Sequence, residues 1–151
     1  MKPPAPDPPL YRQALVGLFV GCAFGPITGW LAGTVATFIA VFVVNHFTRG
    51  VLNMGMRLTA LTGGLIGILL GLIVGPLVGV PLRIAASSTL KSLKDARAGA
   101  AAGAVMGLAC GLAIHQFWHP SPEAFVYTLA HSAAVGGAVG LVAVRAEPEW
   151  L

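Results

Sequence analysis

The sequence predicts an all-α integral membrane protein: a bundle of four transmembrane helices packed by glycine-zipper (GxxxG) rows, the first helix long and kinked at Gly25-Pro26. Three observations predict this class. Charges are too few for a protein surrounded by water, four apolar stretches reach membrane-spanning length, and glycine recurs at every fourth position in long runs.

Hydrophobic residues make up 56% of the 151 positions and charged residues 9%, with a mean hydropathy of +0.84. A soluble domain carries about 25% charged residues. Nine Lys/Arg and five Asp/Glu cannot cover a water-soluble globule of this size, so lipid must cover part of it. A net charge of +4 points to nucleic acid only where basic residues gather with aromatics in a patch. Here they are scattered at segment ends, where loop charges of a membrane protein sit. Cys22 and Cys110 lie in separate apolar segments without a CxxC partner and read as small buried residues.

In chain order, residues 1–9 (MKPPAPDPP) form a proline-rich tail. Its rings favour an extended backbone, and it lacks the features of a cleaved presequence. Residues 10–145 form the membrane domain, with spans at about 10–47, 58–82, 98–118 and 123–144, and 146–151 form a C-terminal tail. A helix crosses about 30 Å of hydrocarbon with roughly 20 residues. The first stretch is nearly twice as long, and Pro26 removes a backbone donor in its middle. It reads as one long kinked span, as an interfacial segment followed by a span from Trp30, or as two tightly turned spans.

Charge selects among these. With four spans, Lys2, Arg12, Arg83, Lys91, Lys94, Arg97 and Arg145 share one side, opposite Arg49 and Arg57. With five spans the bias disappears. The positive-inside rule therefore favours four spans with both termini on the positive side. Tyr11, Trp118 and Tyr127 fall where an interfacial aromatic belt sits, whereas Trp30 fits a belt only if the first segment is broken.

Glycine occupies 17, 21, 25, 29 and 33 in the first segment and 63, 67, 71, 75 and 79 in the second. The third carries Gly99, Gly103, Gly107 and Gly111. The fourth carries Gly136 and Gly140, with Ser132 and Thr128 on the same row. The string G-x-x-x-G-x-x-x-G-P-x-x-G occurs at Gly17–Gly29 and again at Gly67–Gly79, an internal repeat offset by 50. Residues four apart share a helix face. In lipid, where little hydrophobic drive joins helices, small residues allow the close contact that holds them together. Such rows either tighten the chain's own bundle or, facing outward, dock neighbouring subunits; four helices have limited inward surface, so at least one row is expected to face a partner.

All five acids (Asp7, Asp95, Glu123, Glu147 and Glu149) lie in loops or tails, and no span carries a carboxylate or lysine at its centre. Ion-coupled transporters place such groups at depth, so the pattern argues against active transport and leaves a passive pore open. His115 and His119 have an i, i+4 spacing that suits a metal, but Pro120 follows directly. His131, at depth in the fourth span, suits either an interhelical hydrogen bond or cofactor ligation. His46 reads as interfacial. Metal or haem ligation is weighed for His131 and His115 against these plainer roles. Arg83, Lys91, Lys94 and Arg97 form a basic loop that suits anionic lipid headgroups, such as those of cardiolipin, or serves simply as a topology anchor. No nucleophile motif or phosphate-cradling loop appears.

The stretch Asp95-Ala96-Arg97-Ala98-Gly99-Ala100-Ala101-Ala102-Gly103, continuing through Gly107, sets an acid before stacked small residues. With the short loop His119–Glu123 and the ending Glu147-Pro148-Glu149-Trp150, the layout resembles the Tim-type inner-membrane translocase family. Within that family it is most similar to the translocase-related accessory subunit of mitochondrial respiratory complex I. The resemblance covers the last two-thirds of the chain and rests on architecture and small-residue spacing. The extended first segment departs from the family pattern. So does the charge bias, because the family is expected to place its termini in the intermembrane space.

The resemblance implies a structural subunit without catalytic residues, bridging membrane subunits in the mitochondrial inner membrane; a bacterial inner membrane is the alternative. The expected function is thus a non-enzymatic accessory subunit of a respiratory-chain complex, supporting subunit or supercomplex contacts, with no cofactor beyond structural lipid. Its partners would be membrane subunits and lipids rather than nucleic acid. Two other classes remain: a pore or translocase component, with Thr28, Thr34, Thr37, Thr62, Thr128 and Ser132 converging on a wet groove, and a haem- or pigment-binding subunit.

Overall fold

The computed structural model describes residues 9–48, 55–88, 93, 95–118 and 122–146, and side chains within 9–39, 42, 62–87, 93, 95–117 and 125–146. Among the described residues four α-helices follow one another: α1 (Leu10–Thr48), α2 (Gly55–Ser88), α3 (Ala96–Trp118) and α4 (Pro122–Ala143). Each contains a segment long and apolar enough to cross a membrane: Leu10–Ile39, Thr62–Ser87, Ala96–Phe117 and Phe125–Ala143. The chain is therefore an all-helical membrane protein with four candidate spans. Because α1 is one helix through Pro26, the readings with a broken or doubled first segment do not describe the chain, and Trp30 falls inside a span.

Helix ends follow local chemistry. The Pro9 carbonyl accepts from the Arg12 amide at 3.0 Å, opening α1. The Asp95 carbonyl accepts from the Gly99 amide at 2.9 Å, so Asp95 sits where aspartate favours a helix start. Pro122 is the first residue of α4, the position where a missing amide costs no helical bond. The second helix outruns its expected end at residue 82. It passes Pro81 and continues to Ser88, and Arg83 and Ala86 of the added turns are buried against the other helices.

The helices form two antiparallel hairpins, α1–α2 and α3–α4. Along the first, Gly17, Gly21, Gly25, Gly29 and Gly33 face Gly79, Gly75, Gly71, Gly67 and Gly63 in turn. A methyl on Gly21 would stand 2.5 Å from the Gly75 carbonyl carbon and 2.6 Å from the Pro76 nitrogen. Added at Gly25, it would fall on the Gly71 carbonyl oxygen. In the second hairpin, Gly99 faces Gly140, Gly103 faces Gly136, and Gly107 faces Ser132.

The hairpins join through α4, which packs against α1, α2 and α3; α3 meets α4 and only the edge of α2. The shared core is a valine column: Val16 and Val20 of α1, Val74 and Val78 of α2, and Val135 and Val139 of α4. Large apolar side chains point outward instead, among them Phe19, Ile27, Leu31, Val35 and Phe38. Small inside and large outside suits a protein whose surroundings are themselves hydrocarbon.

Candidate functional site

Three features have the makings of a site: a buried polar pair at one end of the bundle, a polar junction within the α1–α2–α4 contact, and an apolar groove between α2 and α3.

The polar pair lies at the end holding the N-terminus of α1 and the C-termini of α2 and α4. Gln13 is 1% exposed and Arg83 8%. The Arg83 Nε donates to Gln13 Oε1 at 2.6 Å, and its Nη1 donates to the Ala143 and Val144 carbonyls at 3.4 and 3.3 Å. The last carbonyls of a helix carry partial negative charge and lack intrahelical partners, so the guanidinium caps α4 from another helix. This corrects the headgroup role expected of Arg83, which is turned inward because those carbonyls and Gln13 satisfy it there. Arg97 is exposed on the first turn of α3, whereas Lys91 and Lys94 lie outside the described residues. Gln13 carried no sequence signal beyond being an amide in an apolar run.

At the junction, His131 is 3% exposed and its ring stacks on Tyr127, with centroids 5.5 Å apart. A methyl on Gly67 would stand 3.0 Å from His131 Cε1. Neither ring nitrogen has a regular hydrogen-bond partner, although the Gly67 backbone is close enough to interact. The Tyr127 hydroxyl donates to the Gly63 carbonyl at 3.4 Å, and the Thr37 hydroxyl donates to the Gly33 carbonyl at 2.7 Å. The imidazole is thus enclosed by glycine backbone and a tyrosine ring, and an axial ligand to a flat macrocycle would need that interface to open. His115 sits near the end of α3 with its ring 4.3 Å from that of Phe125; His119 lies outside the described residues. Among the described residues, no group of three or more His, Cys, Asp and Glu side chains is placed to hold a metal.

Of the polar residues expected to line a pore, Thr28, Thr34 and Ser132 meet different neighbours. The Thr28 hydroxyl donates to its own helix, at the Phe24 and Gly25 carbonyls (2.6 and 3.1 Å). Thr34 lies beside Gly64 of α2, Thr62 is exposed, and Ser132 faces Gly107 and Gly111 on the α3 side of α4. The groove between α2 and α3 has about 480 Å³ and is apolar, with Leu69, Ile73 and Leu77 facing Cys110, Ala113 and Phe117.

Each glycine row thus has its counterpart within the chain, which leaves no row of glycines facing outward among the described residues. Another row of small or short side chains does face outward: Ala101, Val105 and Ala109 of α3, at the same four-residue spacing, are exposed, and Ala113, next in the row, is exposed where it borders the α2–α3 groove. Comparison with family models, with curated proteins and with solved structures finds no match to this chain.

Proposed function

We propose that this chain is a non-catalytic structural subunit of a larger membrane assembly, held together internally by two glycine zippers and docked through α3. The observation that carries this reading is the outward row Ala101, Val105, Ala109 and Ala113. Within the chain, rows of small residues at this spacing each receive another helix. Close helix approach in lipid depends on such rows, and α3 is the helix with least cover from its own chain. A buried interior lined mainly by valine and glycine, with its one described internal cation tied to Gln13 and to helix-end carbonyls, supports a packing role over chemistry. The resemblance around Asp95 to Gly107 extends the reading to a respiratory assembly of the complex I type in the mitochondrial inner membrane.

The test enlarges the outer face without touching the core. Ala101→Phe and Ala109→Phe should leave helicity and detergent stability unchanged, because both positions are exposed. They should also reduce co-purification with membrane partners in mild detergent at least tenfold, a loss of about 1.4 kcal/mol. Undiminished co-purification would falsify the docking role of α3. Substituting Gly67, Gly71 or Gly75 with leucine cannot serve, since the α1 backbone fills that space and the fold itself would fail.

A further inference from the structure

The α1–α2 zipper has a property that its glycines alone leave open. Facing residues have numbers summing to 96, which places five glycine pairs in contact: 17 with 79, 21 with 75, 25 with 71, 29 with 67 and 33 with 63. Sliding one helix past the other by four residues gives sums of 92 or 100. Either shift still sets four glycines opposite four glycines: 17, 21, 25 and 29 against 75, 71, 67 and 63, or 21, 25, 29 and 33 against 79, 75, 71 and 67. Three registers therefore present nearly the same smooth backbone surface. They differ by steps of about 6 Å along the helix axis, since each residue rises about 1.5 Å. Packed interfaces of this kind move in discrete turns rather than continuously.

The next members of the facing row are Gln13 and Arg83, whose numbers also sum to 96. They are buried and joined by the 2.6 Å hydrogen bond from Arg83 Nε to Gln13 Oε1. We infer that Gln13 and Arg83 set the register of the α1–α2 hairpin, selecting one of three glycine-compatible alignments. In the register summing to 100, the guanidinium of Arg83 would fall opposite Gly17, where backbone contact leaves no room for a side chain. In the register summing to 92, Gln13 would face Gly79 and the amide–guanidinium bond would be lost. A single buried polar pair fixes alignment in this way because the alternatives leave a polar group without that partner, even where apolar packing is indifferent. Arg83 also holds the Ala143 and Val144 carbonyls, so the same residue ties the chosen register to the position of α4. Both are positioning residues.

The experiment uses the full chain in liposomes, with Cys22→Ser and Cys110→Ser and spin labels at the exposed positions Leu15 and Leu65, read by pulsed electron-electron distance measurement. The parent should give one distance. Gln13→Met, which keeps the volume and removes the acceptor, should give an additional population representing a slip of about 6 Å along the helix axis. Gln13→Glu, which restores an acceptor, should return a single distance. One unshifted distance in Gln13→Met overturns the inference. So does a broad, structureless distribution in Gln13→Met beside an intact Gln13→Glu, because that would make the pair a stability element rather than a register element.

Discussion

Adjacent glycines in α4 face different surroundings, and the difference can be measured. A methyl on Gly136 would collide with the Gly103 carbonyl oxygen and lie 2.8 Å from the Gly107 Cα, both backbone atoms. Backbone held in a helix cannot step aside. On Gly137 the same methyl would meet the Ala100 oxygen at 3.4 Å and the Ala104 methyl at 3.6 Å, which is ordinary contact. Gly136→Ala should therefore destabilise the protein by about 1–3 kcal/mol, the usual range for forced overpacking. Gly137→Ala should be neutral or slightly stabilising, within the roughly 1 kcal/mol by which alanine exceeds glycine as a helix former. Chemical denaturation in detergent, followed by helicity, gives both values. Equal losses at the two positions would show that α3 and α4 do not meet as described. The depth of His131 in the fourth span is visible from sequence, but its enclosure combines Tyr127 of its own helix with the Gly67 backbone of α2, and the second half of that pair depends on which helix packs beside it.

At the scale of helices, the hairpin is the unit. Each hairpin is closed by backbone-to-backbone approach along a glycine row, whereas contact between hairpins runs mainly through α4, by the valine column and Arg83, with a lesser edge contact of α3 on α2. Separately inserted halves should therefore recognise one another. Co-expressed fragments 1–91 and 92–151, cut between α2 and α3, should co-purify, and Val139→Phe should weaken their association at least tenfold, about 1.4 kcal/mol. Halves that never co-purify would mean that the linker, rather than α4, joins the hairpins. Four apolar stretches and their order were legible in the sequence because hydropathy and length decide them. The continuation of α2 beyond residue 82 to Ser88 was not. Its last turns are buried against α1 and α4, and tertiary burial of Arg83 has no local signature. The partner of each glycine row was equally hidden, since one row of small residues resembles another until helices are placed side by side. The same ambiguity made an outward glycine row a reasonable expectation, and the stacked small residues that include Ala101 gave no sign of a four-residue row running on through Val105 and Ala109.

For the whole molecule, an even number of crossings fixes where the termini lie. If Leu10–Ile39, Thr62–Ser87, Ala96–Phe117 and Phe125–Ala143 each cross once, both termini share a face and the segment between α1 and α2 lies on the other. The charge distribution then assigns the faces. Lys2, Arg12, Arg97 and Arg145 sit with the termini, and Arg49 and Arg57 sit opposite. Burial of Arg83 between helices takes one cation away from that bias without reversing it. The crossing segments are unequal, from 30 residues in α1 to 19 in α4, or about 45 Å against about 28 Å of rise. The long helix must tilt or project beyond hydrocarbon that the short one just spans. Projection does not alter the count of crossings, so orientation can be tested independently of tilt. In a background of Cys22→Ser and Cys110→Ser, single cysteines at Pro6 and Leu151 should react with a membrane-impermeant maleimide from the same side. A cysteine at Val51 should react only from the other. Labelling of Pro6→Cys and Leu151→Cys from opposite sides would require an odd number of crossings, and one of the four helices would then have to lie along the membrane surface despite its length and apolarity.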